Sequence, residues 1–88
     1  MIIDEDTLHQ ADQIAARHLR DARVAAGVSV TEAAKAFGVD AGELEAWEAG
    51  ERSADAIVAL AMLKRYGADG QAMLREVDEL IAPSRNRE

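Results

Sequence analysis

The sequence predicts an all-α fold of five helices around one small core. Pro83, its one proline, sits near the C-terminal end, so nothing interrupts a helix across most of the chain. Hydrophobic residues make up 49% and are rich in alanine, with one Phe, one Trp and one Tyr, which suits slim, closely packed helices. Apolar positions recur at three- and four-residue steps between glycines, the period of a helix with one buried face.

The first helix is expected to begin between Asp4 and Thr7, where acids and a hydroxyl suit an N-terminus. Leu8, Ala11, Ala15, Leu19, Ala22 and Ala26 form its apolar stripe, Ile14 lies off it, and Gly27 ends it. This helix is long, and its extra N-terminal turns serve as a lid on the core or as a contact arm.

Residues 29–37 form the second helix. Ser29 followed by Glu32 is a capping-box pattern, and Ala33, Ala34 and Phe37 supply the buried face. Gly38 permits a left-handed turn and Val39 plugs the corner. Asp40 is expected to cap the third helix with Glu43 as its reciprocal partner; Leu44 and Trp47 point inward and Gly50 closes it. Two short helices around a Gly-Val turn make a helix-turn-helix, whose second helix usually enters the DNA major groove.

Residues 51–53 are a loop and 54–66 a fourth helix. Its apolar positions are spread over more than one face: Ile57, Leu60 and Ala61 on one, Val58, Met62 and Tyr66 on another, with Leu63 between. The chain breaks at residues 67–70. Residues 71–82 form a fifth helix with Met73, Leu74, Val77, Leu80 and Ile81 as its stripe, and residues 83–88 a polar tail. The domain is thus expected to span residues 1–82, with a core at 19–66. Val58, Met62, Tyr66, Met73, Val77 and Ile81 are the residues for a dimer or partner face; packing between the fourth and fifth helices would occupy the same side chains.

A chain of 88 residues supports one small domain. Such a domain buries only about 60% of its unfolded surface, so a partner copy would help it. The absence of cysteine rules out a disulfide framework or thiolate metal site. No stretch has the pattern of a signal peptide or membrane span, which points to the cytoplasm. His9 and His18 fall on opposite sides of one helix and make no metal site. With no phosphate loop, nucleotide fingerprint or organised acid/base pair, the expectation is no enzyme, no cofactor and no small-molecule substrate. The net charge of −7 counts against a broad phosphate-binding surface and favours a protein partner or acidic mimicry, although a local basic patch suffices for DNA.

Several landmarks keep a common spacing: Leu19-Arg20-x-x-Arg23, Gly27-Val28-Ser29, Glu32-Ala33-Ala34, Phe37-Gly38-Val39, Leu44 and Trp47-Glu48-x-Gly50. On these residues, about half the chain, from Leu19 to Leu63, resembles the Cro/C1-type (Xre) helix-turn-helix family of phage repressors, restriction-modification controllers and antitoxins. The resemblance implies a five-helix, lambda-repressor-like domain, here with an extended first helix. It also implies a buried ion pair between Arg23 and Glu48, which would otherwise only add to an acidic surface.

The same resemblance exposes a departure. The family commonly opens its second helix with a Gln that grips the DNA backbone; here that residue is Val30. Early third-helix positions commonly read bases through Gln, Arg, Ser or Thr; here they are Ala41, Gly42 and Glu43, with Ala46 and Ala49 further on. From Asp40 to Glu51 the chain has five acids, Asp40, Glu43, Glu45, Glu48 and Glu51, and no Lys or Arg. Ala41 or Ala46 suit a thymine methyl, and Glu43 or Glu45 cytosine N4. Ser29, Thr31, Lys35 and Arg52 suit phosphates, helped by Arg17 and Arg20. Two functions follow. One is an Xre-type transcription regulator, a homodimer on double-stranded DNA or acting with a partner protein. The other is a protein-interaction module on the same scaffold, antitoxin-like, facing a basic protein.

Overall fold

The structure, a computed structural model, describes residues 4–85, with side chains described through Ile81. Five helices follow in order: α1 (Glu5–Ala25), α2 (Val30–Phe37), α3 (Ala41–Ala49), α4 (Ala56–Tyr66) and α5 (Gly70–Arg85), with no strand among the described residues. Helix α1 is the hub, packing against α3, α4 and α5, while α2 packs on α3 and α4 on α5.

Each start has a local cause. Asp4 accepts a hydrogen bond from the Thr7 amide at 2.8 Å, and this contact holds its carboxyl below the usual range. Ser29 and Glu32 form the full capping box, each amide donating to the other residue's side chain at 3.1 Å. At α4, Asp55 accepts from the amides of Ile57 and Val58, so the helix begins at Ala56 and not at Ala54 as its apolar pattern implied.

The core is Ala16, Leu19, Ala22, Ala33, Ala34, Leu44, Ala59, Met62, Leu63 and Met73. Alanines lining the contacts let helix axes approach closely, and Leu19, Leu44, Met62 and Leu63 fill the space between them. The expected α1 stripe holds in its middle, where Leu19 and Ala22 are buried and Ala11 and Ala15 half-buried, and Ala16 joins it; at its ends Leu8 is 52% exposed and Ala26 is exposed. Periodicity gives the spacing of a stripe; the surrounding helices decide which flank is covered.

Two expectations about the C-terminal half are corrected. Met62 and Met73, at 1% and 4% exposure, lie in this chain's own core and offer nothing to a partner. Tyr66 is half-buried against Phe37, ring centroids 5.6 Å apart and nearly perpendicular, with its hydroxyl buried and unbonded to any described residue. Burial, with Glu48 nearby, raises the Tyr66 pKa. Among the described residues of these helices, the exposed large apolar side chains are Ile57, Val58 and Leu74. Helix α5 also runs to Arg85, past the expected stop at Ala82. Of the expected tail and domain, residues 86–88 and 1–3 lie outside the described residues.

Helix α5 is clasped to α1 by charge. Glu76 takes an ion pair from Arg17 on one carboxylate oxygen and bonds His18 Nε2 at 2.7 Å on the other. The contacts from His18 and then Arg17 hold the Glu76 carboxyl below its usual value near 4.5. A carboxylate whose folded pKa is depressed stabilises the fold above its unfolded pKa, and that contribution is lost as pH falls through the folded value. Thermal melts between neutral pH and about pH 3 should therefore show Glu76→Gln less stable than the parent at neutral pH and equal to it in acid. A stability gap that persists in acid would show that the clasp is not what the carboxylate contributes.

Candidate nucleic-acid interface

The two short helices are held as one unit by their turn. Gly38 takes φ 70°, its amide bonds the Lys35 carbonyl, and Val39 closes onto the Ala34 carbonyl at 3.0 Å. That geometry points α3 across α2, with Leu44 fully buried beneath it.

A buried ion pair locks α3 to α1. Arg23 donates from Nε to Glu48 Oε2 at 2.8 Å and from Nη2 to Oε1 at 3.0 Å, a bidentate fork. Its Nη1 donates to the Val28 carbonyl at 2.8 Å, so one guanidinium gathers α1, the segment before α2, and α3. The side chains are 13% and 6% exposed. The hydrogen bond to Glu48 raises the Arg23 pKa further, against the opposing cost of burial. Glu48 therefore belongs to the frame and not to the acidic surface.

The end of α3 is equally constrained. Gly50 is buried with φ 74°, and a Cβ there would run into the side-chain amide of Gln13. Both Glu51 and Arg52 donate backbone amides to the Ala46 carbonyl, at 3.0 and 3.3 Å. The next residue, Ser53, donates its hydroxyl to Asp12 on α1 at 2.6 Å. The loop after α3 is thus pinned at both ends.

The predicted DNA-contact residues fall into separate groups. Thr31 and Lys35 are exposed on α2. The Ser29 hydroxyl is committed as a cap acceptor. Ala41 is half-buried and packs against the core, Gly42 is exposed and Ala46 half-buried. Asp40 caps α3 through the Gly42 amide at 2.9 Å. Its carboxylate sits where a phosphate would use the helix N-terminus. Arg17 is engaged by Glu76, and Arg20 lies 3.8 Å from Asp21 on the same helix.

Glu43 departs from its expected role. It does not complete a capping box with Asp40; its carboxylate forms an ion pair with Arg52 at 2.8 Å instead. A cation absent from α3 in the sequence is thereby laid along it from the following loop. The sequence held no spacing signal for this contact, because the loop geometry that folds Arg52 back is set by Gly50 and Ser53. With Glu48 and Glu43 paired, the exposed acids left on α3 and its end are Asp40, Glu45 and Glu51.

Among the described residues, no cluster of His, Cys, Asp or Glu could hold a metal, and no helix is long and apolar enough to cross a membrane. A family model described as a helix-turn-helix domain matches residues 14–77, from the middle of α1 into α5. No curated protein and no solved structure matches the chain.

Proposed function

We propose that this chain, which belongs to the helix-turn-helix domain family, is a DNA-binding transcription regulator of the Xre type. The observation that carries the reading is the frame around α3. A bidentate ion pair, a left-handed turn and a pinned loop fix one short helix whose Gly42, Glu45 and Ala49 stay exposed. A rigidly held surface helix of this kind is what insertion into a major groove requires. Ser29, Thr31 and Lys35 on α2, and Ala41, Gly42, Glu43, Ala46 and Arg52 around α3, make up the proposed contact surface. The chain acts as a homodimer whose α3 helices lie about 34–36 Å apart on a pseudo-palindromic site. Dimer contacts come from Val58, with Ile57 beside it, and from Val77 and Ile81, which line an apolar groove on α5 with Leu74.

One observation favours a second reading, a protein-interaction module that meets a basic partner. Helix α3 has no basic side chain of its own, and Glu45 and Glu51 stay exposed. Titration with random and genomic duplexes at low and at ~150 mM salt separates the two. Binding with a log–log salt slope of several supports the regulator. No duplex binding even at low salt, together with purification on a basic protein, would sink it.

A further inference from the structure

We propose that Glu43 and Arg52 act together as one composite base-reading pair that selects a C·G base pair, an inference that rests on the DNA-binding reading. The Arg52 backbone is anchored at the Ala46 carbonyl, and its guanidinium reaches the Glu43 carboxylate one helical turn back. The side chain therefore reaches back from the end of α3 to its first turn. Beside Glu43 in the chain is Gly42, and three residues on is Ala46; neither carries more than a methyl group.

The pair presents donors beside an acceptor. Arg52 contacts Glu43 through Nη1, and a guanidinium has five N–H donors in a fixed fork, so Nε and Nη2 still carry hydrogens to give. The Glu43 carboxylate has spare lone pairs. In the major groove a C·G pair shows guanine N7 and O6, both acceptors, and then the cytosine N4 donor. Two parallel guanidinium donors fit the guanine edge while the carboxylate takes the cytosine proton. An A·T pair shows an acceptor, a donor and an acceptor, which sets one guanidinium N–H against the adenine amino group. The mutual ion pair brings both groups together before DNA arrives, and it lowers the repulsion a lone Glu43 would have for phosphate. Arg52 is 65% exposed and Glu43 31%, so both remain within reach of a ligand.

This assignment makes Arg52 a specificity-determining residue, where the sequence alone gave it to phosphate. Selection of bound duplexes from a random library at about 50 mM salt, with the parent, Glu43→Gln, Arg52→Ala and Arg52→Lys, tests it. The parent should enrich sites sharing one C·G pair, with a discrimination at that position of roughly tenfold or more. Glu43→Gln and Arg52→Lys should each lose that discrimination, while Arg52→Lys keeps the parent's salt slope because its charge is kept. Circular dichroism of the variants should match the parent, since both side chains lie at the surface. Unchanged preference in Glu43→Gln and Arg52→Lys, or enrichment of an A·T pair at the position, would overturn the composite reader and leave the regulator reading standing. Failure of the parent to retain any duplex would overturn both.

Discussion

Arg23→Met is expected to lower the stability of this domain by about 3–5 kcal/mol, and Glu48→Leu by a similar amount. Each change leaves the other charge without its partner, and at 13% and 6% side-chain exposure water compensates it poorly. The loss would be severe, because a chain of this size has only roughly 4–13 kcal/mol of net stability. Arg23→Met also releases the Val28 carbonyl, so the segment leading into α2 loses a tether together with α3. The double variant Arg23→Met/Glu48→Leu should recover most of the loss, since well-packed apolar replacements of a buried pair are often neutral. Denaturant midpoints of the two single variants and the double give the coupling directly. Melting temperatures unchanged in both single variants would show that the pair is not a stabilising element.

Leu44→Ala should cost about 2–5 kcal/mol, in the upper part of that range. Leu44 is the one fully buried side chain of α3, and the core around it includes Ala33, Ala34 and Ala59. Alanines have no rotamers with which to refill the space, so most of the cavity persists. Leu44→Met, which conserves volume, should cost less than about 1.5 kcal/mol. Urea unfolding of the two variants checks the contrast. Equal midpoints would mean that α3 is held without Leu44, by the Arg23–Glu48 fork and the Gly50 loop alone. Duplex binding, where present in the parent, should fall with the stability of Leu44→Ala, because the reading surface loses its support.

The helices and their ends were legible in the sequence because they rest on local chemistry. Ser29 with Glu32, Asp4 ahead of Thr7, and Gly38 in a left-handed turn act within a few residues of themselves. The start of α4 was read early because Ala54 continues an apolar pattern, while the helix waits for the Asp55 cap. Spacing alone puts Glu43 in a capping box; in the fold its carboxylate pairs with Arg52, nine positions on.

By itself, then, the sequence determined an all-α chain, a helix-turn-helix from Ser29 to Gly50, and a third helix without basic residues. Those features follow from period, capping and composition, which a short window of chain contains in full. Tertiary structure alone decided which apolar residues are spent. Met62 and Met73 face the core because α1 covers them, and Ile57, Val58 and Leu74 are what remains outside. It also decided the charge of the reading surface. Glu48 is withdrawn by Arg23 from α1, and Glu43 is covered by Arg52 from the loop. The first joins residues 25 apart on two helices and the second joins α3 to the loop that follows it, and neither contact exists until the chain has folded back on itself.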